Sequence, residues 1–104
     1  YGERDDQYSS GIFGVCNCSV DDKVTSIRLG YNSLVGTIPS ELGQLEELET
    51  IDLRLNRLSG TIPSEMGNLV KLTELYLEFN SLTGTIPSSL GKLVDLERMF
   101  LHNN

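Results

Sequence analysis

A pattern that recurs every 24 residues constrains this chain more than any other feature. Ile27, Ile51, Leu75 and Met99 share one register, Leu29, Leu53, Leu77 and Leu101 a second, and Asn32, Asn56, Asn80 and Asn104 a third. The turn residues keep step, as Gly36, Gly60 and Gly84, then Pro39, Pro63 and Pro87, then Gly43, Gly67 and Gly91. A period of this length with one supersecondary unit per repeat is the signature of a solenoid, in which each unit touches its neighbours alone. One such coil buries too little apolar surface to stand by itself, so stability must come from stacking.

The parts of a coil follow from its residues. In Leu72-Thr73-Glu74-Leu75-Tyr76-Leu77 the apolar positions alternate with Glu74, Tyr76 and Glu78, the period of a short strand with one face in the core. Strands of successive coils then pair in parallel. Asn80 ends the strand, and its amide can bond backbone groups of its own and neighbouring coils, as can Asn32, Asn56 and Asn104. Leu82 and Ile86 are expected to point back to the core around Gly84, and Pro87 presets φ for a tight first turn on the far side. Leu90 is expected to pack inward and Gly91 to supply a left-handed exit from that turn. Inward residues of the second coil are Leu48, Ile51, Leu53, Leu58, Ile62, Met66 and Leu69. The predicted fold is an α/β solenoid: a right-handed superhelix with a parallel sheet on its concave side and short helical turns on its convex side. Residues 1–23 lie outside the repeat and are expected to cap its first coil, while 24–104 carry the repeats, the last one incomplete. Met99-Phe100-Leu101 has no following coil in this chain, so self-association through the uncapped end is expected.

The run LxxLxLxxNxLxGxIPxxLGxL, present as Leu48 to Leu69 with Met66 for one leucine and again as Leu72 to Leu93, resembles the plant-type leucine-rich repeats. These occur in receptor-like kinases, receptor-like proteins and polygalacturonase-inhibiting proteins, and similar repeats occur in algal and diatom proteins. Phe13-Gly14-Val15, Cys18 and Val24-Thr25-Ser26-Ile27 are similar to the family's N-terminal cap, with Ile12 where the family has Trp and Cys16 inserted before Cys18. The resemblance implies a non-catalytic module that recognises a protein or peptide, located extracellularly or in the ectodomain of a membrane protein. Any membrane or kinase segment would lie outside these residues. A secreted inhibitor of a wall-degrading enzyme is the second reading it supports.

Stacked strands turn the 24-residue columns into surface rows. The rows expected to meet a ligand on the concave face are Arg28, Asp52, Tyr76 and Phe100; then Gly30, Arg54, Glu78 and His102; then Tyr31, Leu55, Phe79 and Asn103. Tyr76 and Phe100 as solvent-facing neighbours, flanked by Arg54 and His102, have the composition of a protein-binding hot spot. On that reading Tyr76→Ala would leave folding nearly intact. The competing reading packs Tyr31, Leu55 and Phe79 along the solenoid and leaves Arg28, Asp52 and Arg54 as solvated pairs. Asp52, Glu74 and Glu78 could supply acid and base, but an open sheet offers no pocket to desolvate them and no nucleophile motif accompanies them, so no catalytic residue is expected. Glu46 and Glu47 read as a solvated convex face, His102 as an ordinary surface histidine.

The remaining features narrow the function by exclusion. With 8 basic and 15 acidic residues, a formal charge of −7 and no basic face, the chain has no nucleic-acid footprint. No apolar run approaches the roughly 20 residues that span a bilayer. Cys16 and Cys18 stand too close in sequence for an unstrained disulfide, which favours partners elsewhere, and with His102 the one histidine no metal or other cofactor is expected. Asn17-Cys18-Ser19 fits the N-glycosylation acceptor pattern. Thr37, Thr61 and Thr85, each three residues before Ser40, Ser64 or Ser88, form hydroxyl rows that could meet an ice lattice or could be the ordinary turn of the repeat.

Overall fold

In a computed structural model the apolar columns stack in register. The structure describes residues 23–104 and the backbone of Val15–Cys18. The Asn17 acceptor site, the cysteine side chains and the rest of the expected cap lie outside the described residues.

The main sheet has five strands: β1 (Val15–Cys18), β2 (Val24–Arg28), β4 (Thr50–Asp52), β6 (Glu74–Tyr76) and β7 (Arg98–Phe100), adjacent in that order. β1 runs antiparallel to β2 with a register shift between Asn17 and Cys18, and the other pairs are parallel. Ile27 pairs with Ile51, Ile51 with Leu75 and Leu75 with Met99, so the sequence period is also the sheet register. Beneath it lies a continuous core in which Leu48, Ile51, Met66, Leu69, Leu72, Leu75 and Leu77 are completely buried.

Asparagine closes each strand. The Asn56 amide nitrogen donates to the carbonyls of Leu29 at 3.0 Å, Leu53 at 2.9 Å and Arg54 at 3.3 Å, and its oxygen accepts from the backbone of Asn32 and Leu34 at 3.0 and 2.9 Å. Asn80 bonds Leu53, Leu77 and Glu78 and accepts from Leu58, and Asn104 repeats the arrangement one coil on. Each amide therefore pairs backbone groups that a tight bend would otherwise leave without partners.

Past the asparagine, a second ladder of two short parallel strands joins β3 (Val35–Thr37) to β5 (Arg57–Ser59). The convex side is built of single 3-10 turns at Ser40–Gln44, Ser64–Asn68 and Ser88–Lys92. Each follows a proline in extended conformation whose carbonyl accepts from the residue three on, at 3.1–3.2 Å. Proline suits this place, since its missing N–H would have no partner at the head of a turn.

Two expectations are corrected. The glycine column at 43, 67 and 91 is not left-handed; positive φ falls on Gly36, Gly60 and Gly84 instead. Gly43 and Gly67 are needed for close approach: a Cβ on Gly67 would lie 2.6 Å from the Cβ and carbonyl oxygen of Ser89, and one on Gly43 would strike the Glu65 carbonyl. Gly91 has nothing within 4 Å. Ile86 is not inward but 55% exposed, unlike its counterparts Ile38 and Ile62, because no further coil of this chain covers it.

Candidate functional site

Every second strand residue faces away from the core, and in a parallel sheet of fixed register these residues form continuous rows. Asp52, Tyr76 and Phe100 stand side by side in β4, β6 and β7, with Arg28 beyond Asp52. The Tyr76 and Phe100 ring centroids are 5.4 Å apart, tilted by 47°. In the next row the Arg54 guanidinium lies 5.1 Å from the Tyr76 ring centroid and 5.9 Å from that of Tyr31. Its Nε is 3.2 Å from Asp52 Oδ1, within ion-pair distance though not aligned for a hydrogen bond. Gly30 makes this possible, because a Cβ there would sit 3.1 Å from Asp52 Oδ1 and 3.3 Å from the Arg54 stem. His102 then joins the rings, with Phe79 at 5.3 Å and Phe100 at 6.2 Å, both edge-on.

The third row owes its position to backbone strain. Tyr31, Leu55, Phe79 and Asn103 all adopt left-handed φ, between 56° and 62°. For a non-glycine residue this costs about 1–2 kcal/mol. The return is one more inter-coil bond each: the amides of Tyr31, Leu55 and Phe79 donate to the carbonyls of Arg54, Glu78 and His102 at 3.0–3.1 Å. The turn also leaves Tyr31, Phe79 and Leu55 exposed.

The arrangement departs from the sequence expectation in burial. Tyr76 is 9% exposed and so is not solvent-facing: its ring is the floor of a patch whose rim is Tyr31, Phe79 and Phe100. Removing it would cost stability, about 3–5 kcal/mol for a buried aromatic, so Tyr76→Ala is not a clean probe of binding. Asp52 and Glu78 are buried too, so in the Asp52–Arg54 pair the carboxylate is covered while the arginine side chain stays 36% exposed. Arg28, His102 and Asn103 are exposed.

One row escaped sequence reasoning. Ser26, Thr50, Glu74 and Arg98 occupy the same face one pleat earlier. Thr50 Oγ1 donates to Glu74 Oε1 at 3.4 Å, and Arg98 is held above its ordinary basicity by the Tyr76 hydroxyl first and then by Glu74 and Glu97. The signal that could have found it is the same 24-residue column read one step earlier along the strand.

Elsewhere, Glu47 is not simply solvated. It accepts from Lys71 Nζ at 2.7 Å and stands 4.0 Å from Lys23, and the Lys71 bond lowers its pKa. On the threonine edge, the Thr37 and Thr61 methyls lie 3.0 and 2.8 Å from where Cβ atoms of Gly60 and Gly84 would be, so each packs on the next coil's glycine. Among the described residues no helix is long and apolar enough to cross a membrane, and no cluster of three or more His, Cys, Asp or Glu could hold a metal.

The comparisons with known proteins agree with this geometry. The profile of the leucine rich repeat family matches residues 22–82. Among solved structures, the chain is similar to the ectodomain of the plant membrane receptor kinase GASSHO1/SCHENGEN3 from Arabidopsis thaliana, in complex with CASPARIAN STRIP INTEGRITY FACTOR 2. That match has 43% identity and a TM-score of 0.77 over 78% of this chain and 10% of the other. It is also similar to PEPR1 in the PEPR1–AtPEP1 structure, at 48% identity and a TM-score of 0.75 over 76% of this chain and 11% of that one. The ectodomain of the Arabidopsis receptor kinase HAESA, bound to an extended IDA peptide hormone, gives 41% and 0.72 over 74% and 13%. The chain thus spans about a tenth of the length of these matched chains. No curated protein sequence matches. The chain belongs to the leucine-rich repeat family, and the patch around Tyr76 lies on the concave face of its solenoid.

Proposed function

We propose that this chain is part of the extracellular recognition surface of a receptor-like protein, binding a peptide or protein partner on its concave face without chemistry of its own. The observation that carries the reading is the rim of exposed rings, Tyr31, Phe79 and Phe100, set around the Arg54–Asp52 pair. Exposed aromatics about a buried centre, here Tyr76 and Asp52, are what protein interfaces use as anchors. Left-handed backbone and inter-coil bonds fix the rim before a partner arrives, which lowers the ordering cost of binding. The similar HAESA ectodomain, solved with a peptide hormone ligand, supports the same use of the fold.

The test is a selection of randomised peptides on the immobilised chain, followed by titration of the enriched peptides against Phe79→Ala and Phe100→Ala. Both side chains are partly exposed, so the variants should keep the parent's circular dichroism and lose about tenfold or more in affinity. Enriched peptides that bind both variants as well as the parent would refute the concave-face reading. The reading also holds that the exposed Ile86 and Met99 at the uncovered end drive self-association. Light scattering that finds a monomer at high concentration would refute that part.

A further inference from the structure

The charges of the concave face are unevenly matched. Asp52 holds Arg54, and Glu74 accepts from Thr50 while lying beside Arg98 across the β6–β7 register. Glu78 has no such partner. It is 5% exposed, and its Oε1 is buried without a hydrogen bond. Its two column neighbours are engaged elsewhere, Arg54 with Asp52 and the Tyr76 ring, His102 with the rings of Phe79 and Phe100. A buried carboxylate oxygen left unpaired weakens a fold, and an apolar or amide side chain of similar size would serve the scaffold better.

We infer that Glu78 is the receiving group for a cation on the bound partner, the guanidinium or ammonium of a basic residue. The inference rests on the concave-face reading and gives it a ligand chemistry. Three observations converge on this assignment. Glu78 lies at the floor of the patch, where a cation that reaches it is desolvated and its attraction strengthened. Phe79 and Phe100 pack edge-on with His102, the column neighbour of Glu78, so aromatic rings that favour a cation stand close to the site. The chain's charge of −7 draws basic partners toward it. Arg54 does not spoil the site, because Asp52 already balances its charge.

The peptide selection distinguishes this inference from the reading beneath it. Peptides dependent on Phe79 and Phe100 should carry a fixed Arg or Lys, and replacing that residue by Gln should weaken binding to the parent by about tenfold or more. The same replacement should change binding to Glu78→Gln by less than about twofold, which marks the two groups as partners. Peptides that need the rim rings but show no basic preference, or whose basic residue matters equally to Glu78→Gln, overturn the inference and leave the concave-face reading standing. Peptides indifferent to the rings overturn both. Glu78→Gln should also melt no lower than the parent; a marked fall in its midpoint would make Glu78 a structural residue and overturn the inference by itself.

Discussion

Replacing Asn56 by alanine should cost as much stability as truncating a buried leucine of the core, although the side chain it removes is polar. Five hydrogen bonds converge on its carboxamide, but they are not equally replaceable. The Leu53 carbonyl keeps its bond from Asn80 at 2.9 Å, and the Arg54 carbonyl keeps that from Tyr31 at 3.0 Å. The amides of Asn32 and Leu34 and the carbonyl of Leu29 lose the partner that Asn56 gives them. At about 1–1.5 kcal/mol for each, the loss is about 3–4.5 kcal/mol, against total stabilities of about 5–15 kcal/mol for domains of this kind. With a urea dependence of about 2 kcal/mol per molar, the midpoint should fall by about 1.5–2.3 M. Far-ultraviolet circular dichroism in a urea series reads it directly. Asn104→Ala is the internal control, because Asn104 is exposed and water can take over its bonds, so its loss should stay under about 1 kcal/mol. Asn56→Asp should lose at least as much as Asn56→Ala, since it keeps an acceptor for Asn32 and Leu34 but sets a buried carboxylate oxygen against the carbonyls of Leu29, Leu53 and Arg54. Equal midpoints for Asn56→Ala and Asn104→Ala, at an unchanged slope, would refute the assignment of the asparagine ladder as a principal support of the stack.

The glycine column separates two roles by the same assay. Gly67→Ala forces a Cβ against Ser89 and should cost about 1–3 kcal/mol, whereas Gly91→Ala, in a 3-10 turn with open space, should be neutral or stabilise by up to about 1 kcal/mol; similar losses at both positions would contradict the close-approach argument. The Glu47–Lys71 bond predicts a stability profile with two edges. Glu47 is lowered by its bond to Lys71, so its contribution is present above the ordinary value of 4.5 and is lost as pH falls through the lower folded value. Lys71 is raised, chiefly by Glu47, so its contribution is present below 10.5 and is lost as pH rises through the higher folded value. Glu47→Gln should flatten both edges in urea midpoints measured across pH, and high salt should shrink them in the parent; edges that persist in the variant would assign them to other groups.

The sequence carried the solenoid because its period is chemical as well as numerical. Leucine, asparagine and proline recur where the core, the bend and the head of the 3-10 turn need them, so register followed from counting. The left-handed row was not legible. Tyr31, Leu55 and Phe79 are residues that disfavour positive φ, and only the bond each makes to the next coil explains why they accept it. The column of Gly91 was misread because glycine serves two purposes, and sequence cannot distinguish a left-handed turn from the contact with the neighbouring coil that Gly43 and Gly67 make. The β3–β5 ladder was equally hidden, since Gly36, Thr37 and Ser59 show none of the alternation that marks a buried strand. Side chains on the concave face were placed in the right rows but given too much solvent, because period-two reasoning sorts residues between faces and says nothing about neighbours covering one another. That is why Tyr76 turned out to be floor rather than rim.

The left-handed row has a consequence for how such a surface can change. What holds Tyr31, Leu55 and Phe79 in place is main chain bonded to main chain, through the carbonyls of Arg54, Glu78 and His102. None of those bonds involves a side chain, and Tyr, Leu and Phe make them alike. The scaffold and the message are thus written in separate columns. A replacement in the displayed column alters what the surface says while the columns of leucine, asparagine and close-packed glycine go on specifying the same coil.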